Sequence, residues 1–332
     1  MKPLTDAVLL TVTVTAGLLF LCGCGGADRS TVQQAGDGAP EVTIGVSVPA
    51  ADHGWTAGVG WWAERAMDMY PEINWVYATA LNPEKQTSDV EDMMAQGVDG
   101  LVILATESAP LTPVAKRAHE RGIYIVNVDR GFLEPVADLF LEGDNAAFGR
   151  KAAEYMADKL GGKGRIVILR GIPSTVDTAR FEAGMKVFEK HADIEVLGVQ
   201  PGMWNRQKAL EVMQAFLAQH DDIDAVWAAD DDMALGCEQA IREAGRAGDI
   251  WVFGGGGMKD IVKKIMDKDP MFPATVTYPP SMIATGIHMA VSSLRDGQSE
   301  QVSQFLPRHL VLDVELIEPE NAARYYFPES VY

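Results

Sequence analysis

From residue 41 onward the chain alternates short apolar runs with stretches whose apolar residues recur at helical spacing. Runs rich in Val, Ile and Leu predict strands over 42–48, 73–78, 99–104, 123–128, 138–142, 165–169, 194–199, 223–228, 249–254 and 273–278. Several, "GLVIL" and "YIVNV" among them, are apolar at nearly every position, the pattern of a strand covered on both faces. Between them lie amphipathic segments such as "NPEKQTSDVEDMMAQG", with Val90, Met93, Met94 and Gly97 at helical spacing. Asn82 before Pro83 marks a helix start, since Asn caps free N–H groups and Pro has none to leave unbonded. "HERGI" and "KLGGKGRI" read as helix ends closed by Gly. Regular β/α alternation predicts the α/β class, with parallel sheets and helices on both faces. Ten strands exceed one comfortable sheet, so the pattern predicts two α/β lobes.

The first forty residues break this period. Lys2 precedes an uncharged apolar run at 7–21, too short to span a bilayer as a helix and of signal-peptide length. It ends in "LCGC", which resembles a bacterial lipobox, with Cys24 as the acylated residue; Cys22 fits less well because bulky Leu21 would precede the cleavage site. Residues 1–23 are then a lipoprotein signal peptide, and the Gly-rich polar stretch 24–40 a flexible tether. The mature chain would keep Cys24 and Cys237 alone, which leaves no intramolecular disulfide. Cys237, beside Leu235 and Ala240, reads as core packing. A net charge of −19 argues against nucleic acid, because little basic charge is left to displace phosphate counterions.

In open parallel sheets, ligands sit beyond the carboxyl ends of the strands. Asp52, His53 and Trp55 fall there after the first strand, and Asp129 and Arg130 of "NVDRG" after the fourth. "PGMWNRQ" sets Trp204 before a helix, "VWAADDDMALG" opens a helix at Asp230, and "ATVTYPP" ends in Tyr278. Indoles and a phenol can cover the C–H face of a sugar while charged groups bond its hydroxyls. Asp231 and Asp232 read as charges at a helix start rather than ligands. Three adjacent acids do not converge on a metal, and no cofactor motif is present; "GGGG" at 254–257 lacks the Gly-x-Gly-x-x-Gly spacing.

"VDR", "DDMALGCEQAI" and the order of elements over residues 41–316 resemble the type I periplasmic sugar-binding proteins of bacterial ABC transporters, in the ribose- and galactofuranose-binding branch. The resemblance implies two Rossmann-like lobes joined by three hinge crossings. It places 41–143 plus 278–303 in the first lobe, 144–277 plus 304–318 in the second, and 319–332 in a C-terminal tail. It further implies an extracytoplasmic monomer without cofactor or metal that closes on a monosaccharide or polyol and docks on ABC permease subunits. Membrane contact would run through the lipid anchor only, with no nucleic acid as partner.

Carried over residue by residue, "DHGW" (Asp52, His53, Trp55) occupies the family's first ligand loop, and Asp129 with Arg130 its Asp-Arg pair. Trp204 stands at a stacking aromatic and Asp230 at a polar ligand position. Tyr278 replaces a common polar hinge residue, and Arg180 of "TARFEAG" lies one residue out of register from the family's binding Arg. Where the family commonly delivers an Asp in "V-G-x-D-G", this chain has Gly255, which implies a roomier pocket and a ligand unlike ribose at that edge. Other readings remain: a binding protein feeding a sensor kinase or chemoreceptor, an enzyme using His53 or Asp52 as a base, and a LacI-type regulator core. The last would need a basic helix-turn-helix where this chain has a signal peptide.

Overall fold

A computed structural model describes residues 42–295 and 307–332. The apolar runs form β1 (Thr43–Pro49), β2 (Asn74–Ala80), β3 (Gly100–Ile103), β4 (Tyr124–Val128) and β5 (Leu139–Gly143), followed by β6 (Lys163–Arg170), β7 (Asp193–Pro201), β8 (Ala225–Ala228) and β9 (Trp251–Phe253). The short β10 (Thr275–Val276), β11 (His309–Leu312) and β12 (Leu316–Ile317) complete the strands among the described residues. One sheet has the order β11-β5-β4-β3-β1-β2 and another β7-β6-β8-β9, and every pairing within both is parallel. β10 and β12 pair antiparallel as a separate ribbon.

The helices are α1 (Gly54–Asp68), α2 (Pro83–Ala95), α3 (Ser108–Glu120), α4 (Asn145–Lys159), α5 (Thr175–Phe188), α6 (Arg206–Gln219), α7 (Asp231–Glu243), α8 (Lys259–Met266) and α9 (Met282–Leu294). As the sequence predicts, α2 starts at Asn82, whose side chain accepts from the Lys85 N–H at 2.8 Å. Gly97 and Gly122 end α2 and α3 with φ of 78° and 80°, a conformation that costs a side-chain-bearing residue free energy. Leu101, Val102 and Ile103 of β3 are fully buried, as a strand covered by helices on both faces requires.

Among the described residues, the chain passes between the two Rossmann-like lobes three times: from β5 to α4, from β10 to α9, and from β11 to β12. The third passage comes after Leu312, later than expected. The boundary at 303 lies outside the described residues, but His309–Leu312, assigned by sequence to the second lobe, pairs with Phe140–Gly143 at the edge of the first sheet. An edge strand with alternating exposure buries little, so its sequence carries only a weak apolar signal. The residues after β12 include a 3-10 turn at Ala322–Arg324 and end in Tyr332, whose side chain is buried.

Candidate functional site

The loops after β1, β4, β7, β8 and β9, together with the passage after β10, border a cavity. Eight of the nine sequence-derived ligand candidates line it: His53, Trp55, Asp129, Arg130, Arg180, Trp204, Asp230 and Tyr278.

Asp52 is the exception. Its side chain remains 69% exposed and borders an adjoining cleft toward Leu81, Thr106 and Met203. Its carboxylate is committed elsewhere, to the His53 ring at 2.6 Å and the Thr56 hydroxyl at 2.8 Å. Partial burial works against its ionisation, but the His53 contact outweighs this and holds the pKa at about 2. Asp52 therefore orients His53 at the start of α1 rather than reaching inward.

On the first-lobe side, Trp55 is 7% exposed, and its Nε1 donates to the Tyr278 carbonyl at 2.8 Å. Asp129 has a φ of 65°, a conformation an acidic residue tolerates better than a branched one, and it places Oδ1 2.6 Å from the Tyr278 hydroxyl that donates to it. Arg130 is fixed by Nη1 donating to the carbonyls of Ala105 and Thr106 at 3.1 and 2.6 Å, with Nε 3.7 Å from Asp129. Burial pushes its guanidinium pKa down, and Asp129 opposes that shift.

On the second-lobe side, α4 and α5 nearly touch at their backbones: a methyl group added at Gly149 would lie 1.9 Å from the Arg180 carbonyl. That approach fixes Arg180, whose Nε donates to Asn145 Oδ1 at 3.0 Å and Nη1 to the Ala229 carbonyl at 3.1 Å. Its guanidinium lies 3.9 Å from the Phe148 ring centre and 4.2 Å from that of Tyr278. Met203 and Trp204 are consecutive residues at φ of 60° and 50°. Strain of this kind, about 1–3 kcal/mol per residue, persists where surrounding structure enforces it. Gly171 leaves the space: a methyl group there would sit 2.1 Å from the Trp204 indole. The Arg130 guanidinium is 5.1 Å from that indole, so the two lobes meet in a cation–aromatic pair. Asp230 caps α7 by accepting from the Met233 N–H at 2.7 Å. Burial raises its pKa to about 7, helped by Asp232 and Asp231 and opposed by His53.

Asp231 and Asp232 do more than charge a helix start. The buried Asp231 carboxylate accepts from the N–H groups of Gly255, Gly257 and Met258 at 2.7, 2.9 and 2.8 Å and from the Thr275 hydroxyl at 2.9 Å. The run of glycines thus wraps a carboxylate of its own chain. Asp232 Oδ2 accepts from the Gly54 N–H of α1 at 2.8 Å, and its Oδ1 from Arg206 at 3.2 Å.

The room expected beside Gly255 is filled. Gly255 and Gly256 do border the cavity, but a methyl group at Gly255 would lie 2.1 Å from the Phe148 ring, and one at Gly256 1.9 Å from the Tyr332 hydroxyl. Neither Phe148 nor Tyr332 was legible: the first reads as an ordinary apolar helix residue, and the second lies beyond the β/α alternation. Cys237 is buried in the core, where burial pushes its thiol pKa up. Among the described residues, no group of three or more His, Cys, Asp or Glu is placed to hold a metal.

Residues 44–299 match the family model of the periplasmic binding protein domain. The chain belongs to this family. It is 31% identical over 304 residues to the ribose import binding protein RbsB of Bacillus subtilis (strain 168), covering 91% of this chain and 97% of that one. A solved galactofuranose binding protein superposes with a TM-score of 0.78 at 25% identity, over 86% of this chain and 97% of the other. The fructose-binding periplasmic domain of a hybrid two-component system gives 0.76 at 28% identity, over 86% and 93%. This type I periplasmic binding protein is a binding protein and not an enzyme, so His53 and Asp52 are not catalytic bases. Family membership also places it outside the cytoplasm.

Proposed function

We propose that this solute-binding protein captures a monosaccharide or polyol between its lobes and delivers it to the permease subunits of an ABC importer. One observation carries the reading: indoles from opposite lobes, Trp55 and Trp204, share a cavity with buried Asp129, Arg130 and Arg180. The charged groups of that lining can bond a sugar's hydroxyls, and the aromatic faces suit its C–H surface. The import role named for the Bacillus subtilis relative and the sugar named for the galactofuranose binding protein support the assignment.

The test is a thermal-shift screen of the mature protein against pentoses, hexoses, furanose-forming sugars and polyols, followed by calorimetry. A ligand at a hundred times its Kd stabilises the fold by about 2.7 kcal/mol. Trp204→Ala should weaken binding of the hit about 5- to 150-fold, the scale of a lost buried aromatic contact. A panel that shifts nothing overturns the capture reading. Unchanged affinity in both Trp55→Ala and Trp204→Ala removes the stacking assignment. Similarity to the two-component fructose-binding domain favours one second reading, in which the liganded form acts on a sensor. Loss of ligand uptake on disrupting the gene decides for import.

The signal peptide, the tether and Cys24 lie outside the described residues. We infer from the lipobox that Cys24 is acylated and that 24–40 tethers a monomeric body to a bacterial membrane. Labelled fatty acid should enter the protein and be lost in Cys24→Ala, which should leave the membrane fraction. Equal labelling of the two proteins sinks the anchor.

A further inference from the structure

We propose that Tyr332, delivered by the segment after β12, is a specificity-determining wall of the cavity, which limits the ligand at the edge where the glycine loop offers no side chain. This deepens the capture reading and rests on it.

Tyr332 borders the cavity and is 6% exposed, although it belongs to neither sheet nor any of the helices around the site. Three glycines make its slot. A methyl group at Gly54 would lie 3.1 Å from Tyr332 Cδ2, one at Gly58 3.1 Å from its Cβ, and one at Gly256 1.9 Å from its hydroxyl. Gly54 and Gly58 belong to α1 and Gly256 to the loop after β9, so the ring spans from one lobe to the other. The segment is tied to the second lobe and braced within itself. Lys259 of α8 donates to the Ser330 carbonyl at 2.6 Å, and the Tyr332 N–H donates to the Ser330 hydroxyl at 3.2 Å. Val331 lies in a groove with Trp61 and Tyr77 of the first lobe.

The chemistry of this wall follows from its surroundings. Burial raises the phenol pKa well above its ordinary value, and Asp231, Asp230 and Asp232 raise it further, against Arg180. The hydroxyl therefore stays protonated and neutral. Where a carboxylate could accept two sugar hydroxyls, this edge offers one phenolic O–H and a ring face. The ligand class is a neutral sugar or polyol that stops short of Gly256, and an additional hydroxymethyl group there would collide with the ring.

The test uses the full mature chain and the same panel, with circular dichroism and thermal melting confirming that each variant folds. Tyr332→Ala should weaken binding of the panel's best ligand by about 10-fold or more, the loss of a buried aromatic contact. It should also tighten binding of homologues one hydroxymethyl group longer. Tyr332→Phe keeps the ring and removes one hydrogen bond, so it should weaken the best ligand about 2- to 13-fold without admitting the longer ones. If parent and Tyr332→Ala bind every member with the same Kd, the wall is overturned while capture stands. Should Tyr332→Ala fail to fold, unchanged Kd values across the panel in Tyr332→Leu, which removes the ring but keeps apolar volume, overturn it instead. A parent that binds nothing on the panel overturns capture itself, and this proposal with it.

Discussion

Asp230 stands at the first turn of α7 with two reasons to ionise, the partial positive charge of the helix N-terminus and the Met233 N–H at 2.7 Å. Burial outweighs both, Asp232 and Asp231 add to the effect, His53 resists it, and the pKa rises from 3.8 to about 7. A carboxyl whose folded pKa is raised contributes stability that is fully present below its unfolded value and is lost as pH rises through the folded one. The unliganded protein should therefore lose stability between pH 4 and 7, by an amount on the order of a few kcal/mol for this group. Asp231, raised to about 6 by burial, adds a second loss that ends earlier. Asp230→Asn retains a good helix cap and removes the titration. Urea unfolding across pH 4–8 should show a shallower fall in the variant, with the variant more stable than the parent at pH 8. Parallel curves for the two proteins would place the proton elsewhere.

At the scale of elements, what was legible in the sequence follows from what burial demands of a strand. β3 and β4 are covered on both faces, so nearly every position is apolar and the period is unmistakable. Parallel order then puts strand carboxyl ends together, which is why Trp55, Asp129, Arg130, Trp204 and Asp230 can be gathered from the sequence alone. β11 and β12 escaped because one is a partly exposed edge and the other only two residues long, too little for a period to register. Asp231 escaped for a different reason. In "DDD" all three carboxylates look alike, and only the fold turns one to cap a helix, one into a ring of loop N–H groups and one toward α1. The glycine loop carried the complementary error: absent side chains suggested open space, whereas Phe148 and Tyr332 supply the volume from elsewhere in the chain.

For the whole molecule, the contacts between lobes bear on how capture would work. The Arg130–Trp204 pair and the Tyr278–Asp129 hydrogen bond lie within the cavity lining, so removing them would confuse closure with ligand contact. Asp232 is different. It is outside the lining, and its carboxylate joins α7 to the Gly54 N–H at the start of α1, where a negative charge is favoured. If the lobes close on the ligand by hinge motion, Asp232 stabilises the closed arrangement without touching what is bound. Apparent affinity scales with the population of the competent state, so weakening that latch should weaken binding at a distance. Asp232→Ala removes a charge-assisted hydrogen bond worth about 1.5–3 kcal/mol, which sets a ceiling of roughly 10- to 150-fold on the loss of affinity. Small-angle scattering should show ligand shrinking the radius of gyration of the parent, and the unliganded variant more expanded than the unliganded parent. A variant that keeps both the parent's radius and its Kd would mean that this contact does not govern closure, and that the lobes are held by the cavity residues alone.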